Sequence, residues 1–257
     1  MKDYAMVVIG AMPLRKEPSE KSEMTTQLLF NDMVQFFDST GNWVKVHCLF
    51  DEYEGWMDAK TLKFIDKSDI STINSPVLNT IFAWVKNNQG EKILIPGGSF
   101  LYNYNDTTGD FFVGNETYHL EEKFIPSVLS REQTVILAKQ YLNCPYLWGG
   151  KTAFGIDCSG LVQVVYKMLG IFLLRDAAQQ VNHGTVINFV EEALPGDLFF
   201  FDNDEGNIVH VGIYAGNGKI IHASGKVRID SIDNQGIFRE DIKKYTHKLR
   251  VIKRILE

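Results

Sequence analysis

Residues 146–170 read YLWGGKTAFGIDCSGLVQVVYKMLG, a glycine-rich turn running straight into a helix. Leu161, Val164, Val165 and Met168 fall at i, i+3, i+4 and i+7, one apolar stripe that must be buried. The helix is predicted from about Cys158 to Leu169, with Gly170 suited to its C-terminal cap and Asp157 to its N-cap. Gly149, Gly150 and Gly155 make a tight approach to that N-terminus. A thiol there lies against unpaired backbone N–H groups and the positive end of the helix dipole. Both favour thiolate, so the expected Cys158 pKa lies below the free value of about 8.5, and the same N–H groups suit an oxyanion. From this segment alone, a small buried residue opening a core helix is an equal reading.

Residues 208–224, IVHVGIYAGNGKIIHAS, supply the partners. Val209, Val211 and Ile213 form one face of a strand and His210, Gly212 and Tyr214 the other; Ile220, His222 and Ser224 alternate along the next. A three-residue Gly216-Asn217-Gly218 loop sets Ala215 opposite Lys219 and Gly212 opposite His222. His210 and His222 then share a face as diagonal neighbours, roughly 7–8 Å apart at the backbone. A two-residue Asn217-Gly218 loop would put them on opposite faces. In the favourable register Cys158 is the nucleophile, His210 the general base and then acid, and His222 the group that orients His210. The rival reading is a zinc site of one cysteine and two histidines, which lacks an obvious fourth ligand. The catalytic reading requires no metal and no cofactor.

The rest of the chain divides by texture. Residues 1–65 alternate short strand runs with polar turns, as a small all-β barrel does. Residues 66–125 continue with strand runs at 81–86, 92–96, 99–104 and 111–113, the expectation being a second, diverged barrel. From residue 126 to 257 helix and strand mix. Ser130 and Gln133 form a capping box for a helix to about Leu142, and strands at 198–201, 208–215 and 219–224 follow, an α+β domain.

Bulk properties exclude several classes. The 257 residues carry 26 basic and 32 acidic side chains, net charge -6, with no basic face for nucleic acid. No window approaches the roughly 18 unbroken apolar residues of a membrane span. Cys48, Cys144 and Cys158 cannot all pair and show no Cys-x-x-Cys spacing. The first ten residues lack the features of a signal peptide. The expected location is cytoplasmic if Met1 is the native start, periplasmic or extracellular if a leader was removed. Oligomeric state is not readable.

The stretches PYLWGGKTAFGIDCSGLVQ, LPGDLFFF and HVGIYAGNGKIIHAS resemble the NlpC family of cell-wall cysteine peptidases. TQLLFNDMVQFF, GNWVKV and EGWMDAKTL, nearer the start, resemble a bacterial SH3 domain. The resemblance implies two SH3-like barrels before a papain-like α+β peptidase domain, an order similar to the γ-D-glutamyl-L-diamino acid endopeptidases of dipeptidyl-peptidase VI type. It implies Cys158, His210 and His222 as the triad. The implied substrates are peptidoglycan-derived peptides, cut between D-Glu and a diamino acid (diaminopimelate or lysine) and carrying a free N-terminal L-Ala. Tyr146 and Trp148 are implied to line the groove, Asp157 and Ser159 to touch substrate. Arg175 and Asp176 in RDAAQQ are implied to hold its charged ends, with Ala177 where a serine is common. Tyr53 in YEGW is implied to close the site around the peptide amine, with Asp32 in FND as the acidic partner. Surface-turn residues are the other reading of Tyr53 and Asp32. Two further function classes stay open: a non-catalytic wall-binding protein, and an amidase or acyltransferase on the same cysteine–histidine core.

Overall fold

A computed structural model of the chain describes residues 3–67, 70 and 75–257. The first sheet is built from β1 (Tyr4–Val7), β2 (Ala11–Arg15), β3 (Met24–Leu29), β4 (Met33–Thr40), β5 (Trp43–Cys48), β6 (Glu54–Asp58) and β7 (Leu62–Ile65). Their order is β3-β2-β6-β5-β4-β1-β7. In β5 the run Trp43-Val44-Lys45-Val46-His47-Cys48 buries every second residue, so Val44, Val46 and Cys48 face a core shared with Leu14, Leu28, Val34 and Met57. This is the SH3-like domain.

The next four strands, β8 (Phe82–Asn87), β9 (Lys92–Pro96), β10 (Asp110–Val113) and β11 (Glu116–Leu120), pair in the order β10-β11-β8-β9. The expected strand at 99–104 forms only the isolated bridges Val77↔Phe100 and Tyr102↔Phe112. Gly98 and Asn103 both have positive φ (91° and 54°), which bends the chain away from a ladder at each end of that run. The described residues of this segment thus form a four-stranded sheet; residues 68, 69 and 71–74 of the expected second barrel lie outside them.

The remainder contains α1 (Arg131–Gln140), the short pair β12 (Lys151–Thr152) and β13 (Gly155–Ile156), α2 (Cys158–Met168) and α3 (Ala177–Gln180). β14 (Thr185–Ile187), β15 (Leu198–Asp202), β16 (Ile208–Gly216), β17 (Lys219–Ser224), β18 (Lys226–Ile232), β19 (Gly236–Arg239) and β20 (Lys244–Arg254) follow. The sheet order is β14-β20-β15-β16-β17-β18-β19, and β19 also pairs with β20, so six strands close on themselves. Phe199, Phe201, Tyr214, Ile220, Ile237 and Ile252 fill the enclosed side. Leu198, Phe200, Val211 and Ile213 face the other way, into a cluster with the α2 stripe. Ser130 caps α1 by accepting from the Gln133 N–H at 3.1 Å, and the helix ends at Gln140, two residues before the expected Leu142. No helix among the described residues is long and apolar enough to cross a membrane.

The three parts share one apolar core, in which Leu29 and Phe30 of the first meet Phe100 and Phe111 of the second and Leu161 and Val164 of the third. Asn31, at φ 67°, donates to the carbonyls of Phe100 and Phe112, both at 3.0 Å. Lys167 reaches from the last turn of α2 to Asp32 at 2.7 Å, with its ammonium 4.1 Å from the Phe50 ring centre and 4.0 Å from that of Phe100. The first sheet is therefore packed against the helix that carries Cys158.

Candidate active site

Asp157 caps α2 as its position requires: one oxygen accepts the Gly160 N–H at 2.7 Å, the other the Gly149 N–H at 2.8 Å. The same carboxylate is held bidentately by Arg175, at 3.0 and 2.6 Å. Arg175 also donates to Ser159 Oγ at 2.8 Å and, across the domain boundary, to Thr26 Oγ1 on β3 at 2.8 Å. Arg175 is 1% exposed. Asp157, Ser159 and Arg175, implied as substrate contacts, line the cleft beside Cys158 and are also bonded to one another. Arg175 takes its carboxylate from Asp157, and their charges cancel beneath Cys158.

Cys158 is buried against β16, where the backbone N–H groups of Val211 and Ser159 favour its ionised form. The expected thiolate is not met. Burial pushes the thiol up to about 12 and the neighbouring Asp157 charge adds to that, while the two N–H groups and Arg175 pull back only part of the way. The field of the helix end is outweighed by loss of water and by the carboxylate that caps the helix.

The histidines meet on one face. His210 Nε2 lies 2.9 Å from His222 Nδ1, and His222 Nε2 lies 3.0 Å from Asp230 Oδ2. The hairpin reaches this by a route that differs from the expected loop. Gly216 pairs with Lys219, leaving a two-residue Asn217-Gly218 turn with positive φ at both positions (52° and 65°). That turn alone would separate the histidines. A bulge at Ala215 restores the pairing Tyr214↔Ile220 and Ile213↔Ile221. Gly212 lies beside His222, where a Cβ would come within 3.1 Å of the His222 Cβ.

Burial lowers the pKa of His210 well below the usual imidazole value, and nearby His247 and His222 lower it further. His222 is lowered by burial too, with Asp230 opposing. His247 of β20, which no sequence motif marks, stacks on His210 with ring centres 4.2 Å apart and planes 26° apart. One nitrogen from each of His210, His222 and His247 falls within a 4.8 Å group. His210 Nε2 and His222 Nδ1 are hydrogen-bonded to each other, and the His210 and His247 rings stack. Cys158, proposed as the third ligand of a zinc site, is not in that group.

A cleft of about 410 Å³ opens beside Cys158, walled by Glu23, Thr25, Tyr53, Trp148, Asp176 and Val209. Trp148 is 61% exposed and donates its indole N–H to Glu23 at 2.9 Å, bridging the two domains across the rim. Tyr53 and Asp176 line the same cleft, and burial followed by the Asp176 charge pushes the Tyr53 phenol up to about 12. Burial raises the pKa of Asp176, with Arg175 opposing. Tyr146 is half-buried and its phenol is likewise pushed up to about 12, by burial and then by adjacent Cys158. Asp32 is absent from the cleft. It is fully buried, accepting the Leu29 N–H at 2.8 Å and paired with Lys167, so it is a domain-interface residue and not a partner for a peptide amine. Glu23 stands on that wall instead. Sequence reading passed over it because a glutamate beside a polar turn carries no periodic signal. Asp230 was findable, since Arg228-Ile229-Asp230 alternates on the strand after His222.

Residues 143–246 match the NlpC/P60 family and residues 14–62 the bacterial dipeptidyl-peptidase SH3 domain. Dipeptidyl-peptidase 6 of Lysinibacillus sphaericus is 30% identical, over 93% of this chain and 95% of that protein. The chain belongs to the NlpC/P60 family. This NlpC/P60 chain is also 28% identical to the γ-D-glutamyl-L-lysine dipeptidyl-peptidase of Bacillus cereus, over 85% of this chain and 74% of that one. Its fold matches the crystal structure of an NlpC/P60 family protein from Bacillus cereus over 99% of this chain and all of that one, with a TM-score of 0.83 at 22% identity. As an NlpC/P60 member it is a peptidase.

Proposed function

We propose that this peptidase hydrolyses the γ-D-Glu–diamino acid bond of short cell-wall peptides that begin with a free L-Ala. The observation that carries this is a cleft leading from Cys158 to a wall made by the barrel, where Glu23, Tyr53 and Asp176 meet. With Asp157 neutralised by Arg175, that wall is acidic and suits an ammonium group; it stops the peptide a fixed distance from the sulfur. The names of the relatives support the bond and the substrate class. Such a wall suits peptides already freed from glycan and supports a role in the turnover of wall fragments. The last domain we read as papain-like and the middle sheet as a diverged SH3 unit.

The chemistry follows from the resting charges. Thiol and imidazole both start neutral, so as Cys158 Sγ bonds the γ-carbonyl carbon its proton passes to His210, whose Nε2 is occupied by His222 and whose Nδ1 is left for the task. The backbone N–H of Cys158, at the start of α2, receives the oxyanion. His210 returns the proton to the leaving amine, giving a thioester. Water, deprotonated by His210, then cleaves the thioester, releasing the γ-carboxyl product and regenerating the thiol.

Mass spectrometry of L-Ala-γ-D-Glu-diaminopimelate and L-Ala-γ-D-Glu-L-Lys after incubation tests this. Wild type releases L-Ala-D-Glu from at least one, the N-acetylated peptides resist, and Cys158→Ala gives no product. Equal cleavage of acetylated and free peptides would remove the amine-wall reading.

A further inference from the structure

We propose that Asp230 is a positioning residue of the relay: its carboxylate, acting through His222, selects the tautomer in which His210 presents an unprotonated Nδ1 to Cys158. This rests on the peptidase reading of Cys158 and His210 given above.

Each step is forced by what the groups can donate and accept. An ionised carboxylate only accepts, so His222 Nε2, 3.0 Å from Asp230 Oδ2, carries its proton. A neutral imidazole has one N–H, which leaves His222 Nδ1 as an acceptor. His210 Nε2, 2.9 Å away, must donate to it. His210 Nδ1 is then bare. Reverse the proton on His222 and the order inverts: its Nδ1–H would point at His210 Nε2, and the only proton of His210 would sit on Nδ1, where it cannot accept one from the thiol.

The surroundings keep Asp230 ionised. Burial alone raises its pKa, but hydrogen bonds from His222 and Arg228 bring it below the usual carboxylate value. Arg228 Nη2 donates to Oδ1 at 2.9 Å, and Arg228 Nε lies 2.6 Å from Oδ2. Arg228 is braced by Asp241 at 3.3 Å, which Arg239 holds at 2.6 Å. Both carboxylate oxygens thus face donors, and an amide at this position sets its own N–H₂ against one of them. The charged and titratable groups around His222 are His210, His247, Asp230, Arg228 and Arg239.

Histidine ¹⁵N NMR of the full chain reads the tautomers without substrate, and Asp230→Asn is the deciding variant. Wild type is expected to show His210 and His222 both as Nε2–H forms. In Asp230→Asn, His222 shifts toward Nδ1–H, and kcat on the free-amine peptide falls about 10²–10⁴-fold with KM little changed. The acid limb of its kcat/KM profile moves to lower pH, because a lost negative charge disfavours imidazolium. Arg228→Gln, which keeps the carboxylate, retains the wild-type tautomers. A folded Asp230→Asn protein with unaltered tautomers and kcat overturns the proposal. So does a wild-type spectrum with His222 as Nδ1–H, a result that stands even if the variant does not fold. Cleavage by Cys158→Ala at the wild-type rate sinks the peptidase reading instead and leaves the tautomer result untouched.

Discussion

Asp176 and Tyr53 line the cleft, and on the proposed reading the peptide ammonium meets Asp176 in one charge-assisted hydrogen bond. Such a bond contributes about 1.5–3 kcal/mol, so Asp176→Asn is expected to raise KM for the free-amine peptide roughly 10- to 100-fold while leaving thermal stability unchanged. The measurement is steady-state kinetics beside a melting curve. His210 sets the pH response. Its imidazole must be neutral to act as base, and burial with two neighbouring imidazoles depresses its pKa. The acid limb of kcat/KM therefore falls below pH 6.5, and a limb at or above that value would contradict the buried-base assignment.

The nucleophile helix shows how capping and chemistry share residues. Asp157 accepts two backbone N–H groups and the Arg175 fork. Asp157→Ala loses the cap and strands a guanidinium that is 1% exposed. Loss of one partner of a buried pair costs about 3–5 kcal/mol; denaturant unfolding reads the drop. The helix, its cap and the two histidine strands were legible in sequence, because each rests on local periodicity or on one polar residue at a helix start. The bulge at Ala215 was not. Nothing in GIYAGNG distinguishes a three-residue loop from a type I′ turn plus one extra residue, since both set Gly212 opposite His222. Long-range partners were equally hidden: the bond from Thr26 to Arg175 spans 149 positions, and His247 joins His210 from a distant strand.

At the scale of the molecule, charge is buried where the domains meet. Asp32 and Lys167 form a pair with both side chains almost fully enclosed, and burial lowers the pKa of Lys167 with Asp32 opposing. Asp32→Ala leaves that ammonium alone and is expected to cost about 3–5 kcal/mol of stability, with KM unchanged in the protein that stays folded. A selective KM increase would return Asp32 to the peptide site. Acid sensitivity follows from the histidine cluster. His210, His222 and His247 all have depressed values in the folded state, His247 down to about 4. The unfolded chain binds protons first, so stability is full above pH 6.5 and declines as pH falls toward the folded values. Melting temperature between pH 7 and 4 measures it, and His247→Phe flattens part of the slope.

The bond between Thr26 on β3 and Arg175 beneath the cysteine makes the barrel part of the foundation of the catalytic helix. A barrel transplanted from a different hydrolase would change more than which peptides enter. It would alter the footing on which the sulfur stands, so exchange of modules would here demand simultaneous change on both sides of the seam.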